Sequence, residues 1–165
     1  MELWDAYDET GGVIPGVTLV RNEPVPDGCF HLVCDILVRH TDGSFLLMRR
    51  AKEKHLGGTW EATAGGSAIK GETPRDCARR ELREETGIRT ETLTEIGRVL
   101  HEGHRTYYVL FLCETDCEKD SVTLQPGETD AYRWVSEETL YSMTPDELCT
   151  TRMLQFYEKW KNTGE

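Results

Sequence analysis

The stretch GGSAIKGETPRDCARRELREETGI, residues 65–88, constrains the chain more than any other part of it. It opens on paired glycines and then carries three helix-start signals: Thr73 as a side-chain cap, Pro74 at the first helical position and Asp76 completing an approximate capping box. Gly87 supplies a left-handed stop, so the signals predict a helix over residues 74–86. Five acidic residues and four arginines share these 24 positions, which raises the question of what the carboxylates are for.

Glu81, Glu84 and Glu85 stand three and four residues apart and therefore share one helical face. Like charges at that spacing destabilise a helix by roughly 0.2–0.5 kcal/mol per pair. Neighbouring arginines offer one explanation, since Arg80 and Glu84 form an i,i+4 pair and charge runs are usually solvated faces. Two features point the other way. The carboxylates flank the apolar stripe of Ala78 and Leu82, and the helix follows a glycine-rich loop whose backbone carbonyls can converge on an ion. Clustered carboxylates with backbone oxygen suit a hard cation, Mg²⁺ or Mn²⁺, and such ions can clamp a phosphate for in-line attack by water.

Composition narrows the partners. Thirty Asp and Glu against 19 Lys and Arg leave a net charge of -11, which argues against a nucleic acid polymer or an anionic membrane as ligand. An anionic small molecule would need local arginines or a bound cation. No apolar run reaches membrane-spanning length, and the acidic start MELWDAYDETGG lacks the features of a secretory signal, so a cytoplasmic address is expected. The six cysteines show no compact disulfide spacing and read as reduced thiols. His101, His104, Cys113 and Cys117 could be combined into a zinc site, but the intervening RTYYVLFLC reads as a buried strand that would hold the pairs apart.

At 165 residues the chain suits a single domain, 1–165, with no repeat or long linker. Residues 1–28 read as an N-terminal hairpin extension followed by a Pro-punctuated loop. FHLVCDILVRHTDGSFLLMRR holds two central strands joined at an Asp-Gly turn, and TWEATAGG reads as one short strand. After the helix, TLTEIGRVLHEG, RTYYVLFLCET and the short YRWV read as strands. Two capped helices close the chain, the second starting at Thr144 and Pro145. Strands interrupted by one helix and followed by others predict an α+β fold, a mixed β-sheet with helices on its faces.

Residues 66–88 resemble the Nudix box, GX5EX7REUXEEXGU with U aliphatic, at all nine defined positions: Gly66, Glu72, Arg80, Glu81, Leu82, Glu84, Glu85, Gly87 and Ile88. The flanking RNEPVPDGCFHLV, GSFLLMRR and YRWVSEETL are also similar to a Nudix subgroup with an N-terminal hairpin, so that the resemblance covers most of residues 1–145. It implies the Nudix α/β/α sandwich and hydrolysis of a nucleoside diphosphate derivative or another organic diphosphate, a small-molecule substrate. It further implies that Glu81, Glu84, Glu85 and the Gly66 carbonyl hold divalent cations, and that Glu72 and Arg80 form a structural salt bridge between loop and helix. Glu128 stands where the family often places one more metal-binding or basic carboxylate, although an ordinary turn glutamate in PGETD is an equal reading. The general base is left open between Glu81 and Glu128.

Arg49 and Arg50 end a predicted strand where one could hold a substrate phosphate, but strand alternation turns them to opposite faces. Trp60 could stack on a base or belong to the core. Two other functions share the resemblance. An isopentenyl diphosphate isomerase-like enzyme would need a cysteine soon after the Trp in a segment that also carries His, and EATAGGS, residues 61–67, has neither. A non-catalytic nucleotide-binding module would be expected to have lost box glutamates, and all are present. Loops 21–30, 51–58 and 101–106 are expected to choose the substrate, and the hairpin edge could pair two copies into a homodimer.

Overall fold

In the computed structural model, which describes residues 1–163, nine strands and three α-helices follow the α+β order expected. β1 (Leu3–Tyr7) and β2 (Val13–Val20) form the N-terminal antiparallel hairpin. The Asp8 carboxylate shapes its turn by accepting from the backbone N–H groups of Thr10 (2.8 Å) and Gly12 (3.1 Å).

The axis of the main sheet is β3 (His31–His40). It runs parallel to β8 (Thr106–Thr115) along its whole length, and β7 (Thr94–His101) is antiparallel to β8 on the outside. On its other edge β3 forks. β4 (Phe45–Arg50), reached through the Asp42-Gly43 turn, meets it at Arg39 and Phe45, whereas β6 (Ala64–Ser67) takes the stretch Val33–Ile36. β4 in turn carries β5 (Trp60–Glu61) and β9 (Thr129–Val135), the latter longer than the four residues YRWV.

The fork also explains why TWEATAGG is not one strand. Thr63 is buried in it, and its hydroxyl accepts from the Val38 N–H (2.9 Å) while donating to the Leu46 carbonyl (2.7 Å). One side chain thus satisfies a backbone group on each of the two diverging strands. That contact replaces ladder bonds which the fork removes.

α1 (Pro74–Thr86) has the predicted boundaries. Asp76 donates its N–H to the Thr73 hydroxyl at 3.2 Å, and Gly87 ends the helix at φ 79° with its N–H on the Arg83 carbonyl (2.8 Å). It lies on β6 and β3, burying Cys77, Ala78 and Leu82 against Cys34, Ile36 and Phe111. α2 (Glu137–Ser142) and α3 (Arg152–Asn162) cover the opposite face, where Leu140, Leu154 and Tyr157 meet Leu37, Leu47 and Leu110. Alternation along β3 supplies both contacts, so helices cover the sheet on either side.

α3 begins later than its cap signals suggest. Trp60 donates to the Glu147 carbonyl (2.8 Å) and Cys149 to the Trp60 carbonyl (2.9 Å), so residues 147–149 extend along β5 instead of winding into a helix. Burial of Leu148 holds them there. The N-terminal hairpin docks through paired backbone bonds between Tyr7 and Phe30 (2.8 and 2.9 Å) and a stack of Trp4 on His31 at 4.3 Å. It also grips the loop before α1, because Lys70 donates its N–H to the Leu3 carbonyl and Gly71 to the Asp5 carboxylate, both at 2.8 Å. No helix among the described residues is long and apolar enough to cross a membrane.

Replacing Thr63 by Val removes the hydroxyl while keeping the shape, leaving two buried backbone groups unpaired. A loss of about 1–3 kcal/mol in unfolding free energy is expected by denaturant titration. A change under about 0.5 kcal/mol would mean that the fork does not depend on this contact.

Candidate active site

Arg80 is the centre of the carboxylate cluster. Its guanidinium is bidentate to Glu72 (2.6 and 3.0 Å), reaches Glu81 (2.9 Å) and Glu84 (3.3 Å), and donates to the Ser67 carbonyl (3.1 Å). Glu72 closes its own loop by accepting from the Ile69 N–H at 2.9 Å. One planar group thereby joins β6, the loop and two helical turns, a use that matches the fork geometry of arginine.

Glu81 and Glu85 are drawn inward and Glu84 stays half-exposed. Gly66 on β6 faces Glu81 so closely that a Cβ there would overlap its carboxylate, and its carbonyl accepts weakly from the Cys77 thiol (3.5 Å). Burial pushes the Glu81 carboxyl up to about 7, with Arg80 pulling the other way. Burial also holds Glu85 well above the usual carboxylate range, helped by Glu61 and Glu81 and opposed by Lys54. One oxygen of Glu85, Oε2, is buried without a hydrogen-bond partner among the described residues. Such an orphaned acceptor in a native fold calls for an explanation.

The remaining expected residues divide. Glu128 belongs to the neighbourhood, since its charge acts on Glu85, but its carboxylate is ion-paired to Lys54. Arg50 turns into a cavity beside β6, where it pairs with Glu61 and donates to the His55 carbonyl (2.8 Å). Arg49 points elsewhere, to Asp130 at 2.6 Å and over Trp60. Trp60 lies between Arg49 and Arg133 and packs on the α3-side core.

Glu61, Lys54 and Asp35 are the members of this region that the motif did not indicate. Glu61 and Lys54 carry no local signal, whereas Asp35 interrupts the apolar run HLVCDILV, a detectable oddity. Among the described residues, no three His, Cys, Asp or Glu side chains are closed around a common point as they stand. Arg80 draws Glu81 and Glu84 to itself. His101 and His104 instead stack on each other at 3.8 Å, and Cys113 is buried in β8, so the zinc combination does not assemble.

Comparison with known proteins agrees with this architecture. Residues 30–157 match the NUDIX domain model. An uncharacterized Nudix hydrolase of Listeria monocytogenes is 32% identical over 147 residues, 87% of this chain and 85% of the relative. An isopentenyl-diphosphate Delta-isomerase of Corynebacterium diphtheriae is 34% identical over a shorter stretch, 102 residues, covering 61% of this chain and 55% of the isomerase. In fold the chain is similar to the NUDIX domain of Shewanella oneidensis NrtR, solved with ADP ribose, at a TM-score of 0.65 and 15% identity, covering 88% of this chain and 95% of that one. The chain belongs to the Nudix family.

The raised carboxyls give the metal-free protein a defined pH response. A folded-state pKa of about 7 against 4.5 for an ordinary Glu means that the folded chain binds the extra proton between those values. The stability contributed is fully present below about pH 4.5 and is lost as pH rises through about 7. In chelator, Glu81→Gln should therefore flatten the decline of melting temperature between about pH 5 and about pH 8 relative to wild type. Identical slopes for the two proteins would show that Glu81 titrates normally.

Proposed function

We propose that the protein hydrolyses the diphosphate linkage of a nucleoside diphosphate derivative or related organic diphosphate, using Mg²⁺ or Mn²⁺. The observation that carries the reading is the buried, unpartnered oxygen of Glu85 beside Glu81 and the Gly66 backbone. This donor set is all oxygen and mostly carboxylate, which fits a hard divalent cation. Glu81, Glu84, Glu85 and the Gly66 carbonyl would hold it, with Glu128 available at the rim once Lys54 releases it. Bound there, the ion would stabilise charge on the phosphate oxygens and make a bound water more acidic.

The chain's own groups do the positioning. Arg80, anchored on Glu72 and Ser67, keeps Glu81 and Glu84 on one side of the helix. Either Glu81 or Glu128, whichever the cation leaves free, would accept the proton of the attacking water. Arg50 faces the cavity and can exchange Glu61 for a substrate phosphate, whereas Arg49 is committed to Asp130. Residues 61–67 lack the cysteine and histidine that an isomerase reading calls for, and the box glutamates are all retained, which favours hydrolysis over isomerisation or mere binding.

Cleavage into two phosphate monoesters, read as phosphate freed by an added phosphatase or by chromatography of the products, should be seen with at least one member of a panel of nucleoside diphosphate derivatives, nucleoside triphosphates and isoprenoid diphosphates, only with Mg²⁺ or Mn²⁺ present. Chelator should abolish it. Glu84→Gln is expected to lower kcat/KM by more than about a hundredfold while leaving the fold intact. If nothing in the panel turns over and Glu84→Gln binds ligand as wild type does, the hydrolase reading fails.

A further inference from the structure

On the α3 side of the sheet, beside the edge of β6 that no strand pairs among the described residues, lies a cavity of ≈190 Å³. Glu61 and Gly66 line the end nearest the carboxylate helix, and Cys149, Thr150 and Met153 line the side formed by the approach to α3. Its floor is Asp35, which alternation on β3 turns away from α1 and which Gly65 meets so closely that a Cβ would overlap the carboxylate. Asp35 accepts no hydrogen bond among the described residues, and its ion pair is a long one, 3.6 Å to Arg152. Arg152 is itself held flat on Tyr108, 3.7 Å from the ring centroid.

We infer that this cavity reads the group attached to the diphosphate, that Asp35 is its specificity-determining residue, and that the group is a hydroxyl-bearing ring, sugar-like, instead of an isoprenoid chain. The inference rests on the hydrolase reading above and specifies its substrate class. Three observations carry it. The cavity touches Glu61, whose charge already acts on Glu85, so a diphosphate bound at the helix can place its adjoining group there. The volume has room for a sugar-sized ring. The free acceptor lone pairs of Asp35 need donors, which an isoprenoid chain does not have and a ring of hydroxyls does.

Donor chemistry separates a hydroxyl-bearing ring from a quaternary ammonium such as that of choline, whose nitrogen carries no N–H to give Asp35. The charges of the cavity do not separate them, because Arg50 is paired with Glu61 and Arg152 with Asp35. The Asp35 side chain keeps 24% of its surface exposed, and partial desolvation pushes its carboxyl up to about 6, against the pull of Arg152. A ligand that leaves it unpaired is therefore disfavoured, and sites built to bond a hydroxyl discriminate strongly against analogues lacking it.

The test compares ADP-ribose with geranyl diphosphate and CDP-choline on wild type, Asp35→Val and the milder Asp35→Asn, with melting curves establishing that each variant folds. Wild type is expected to favour ADP-ribose in kcat/KM by at least about tenfold, and Asp35→Val to raise KM for ADP-ribose by about tenfold or more with kcat nearly unchanged. Geranyl diphosphate should be indifferent to the substitution. If Asp35→Val does not fold, Asp35→Asn must show the same KM effect in smaller measure. Equal or better use of geranyl diphosphate or CDP-choline by wild type, or a KM for ADP-ribose that ignores both substitutions, overturns the inference while leaving the hydrolase reading in place. Should no compound be hydrolysed, the hydrolase reading fails separately. Binding of ADP-ribose by calorimetry then decides the cavity: weakening by Asp35→Val upholds it, and equal affinity or no binding overturns it.

Discussion

The rest of the site depends on one guanidinium. Arg80 gives its planar fork to Glu72, its remaining donors to Glu81, Glu84 and the Ser67 carbonyl, and so fixes a loop, a strand end and a helix relative to one another. Without it, three glutamates at i, i+3 and i+4 spacing would repel and splay. With it, their repulsion is absorbed at one edge of the cluster, and the other edge keeps the unpartnered oxygen of Glu85. The same residue thus makes the acidic helix foldable and leaves one carboxylate edge of it open.

The sheet and the hairpin serve that arrangement. β3 diverges from β4 and is joined by β6, which brings the glycine backbone under α1 and leaves a cavity beside it. The hairpin holds the loop from outside through Leu3 and Asp5. It is therefore tied to the loop-helix unit by hydrogen bonds as well as by sequence order. Apolar packing on both faces, Leu82 on one and Tyr157 on the other, keeps the intervening strands from shifting.

How much of this could be read in advance follows from the range of each interaction. α1 was legible to the residue because its cap, its proline and its terminal glycine act within one turn of where they stand. The pairing of Glu72 with Arg80 followed from the motif, and strand alternation correctly separated Arg49 from Arg50. Contacts between distant segments were not legible. The start of α3 moved because the backbone near Leu148 bonds to Trp60, and TWEATAGG broke because Thr63 bonds to two other strands. Glu61 and Lys54 join the site through the fold alone. Asp35 did leave a trace, a charge within an apolar strand, where the local pattern and the buried sheet disagree.

Gly65 and Gly66 have opposite carboxylates pressed against them, Asp35 on the α3 side and Glu81 on the α1 side. Arg152 of α3 pairs with the first and Arg80 of α1 with the second. Side chains on the α3 side can therefore be changed without touching those that meet α1.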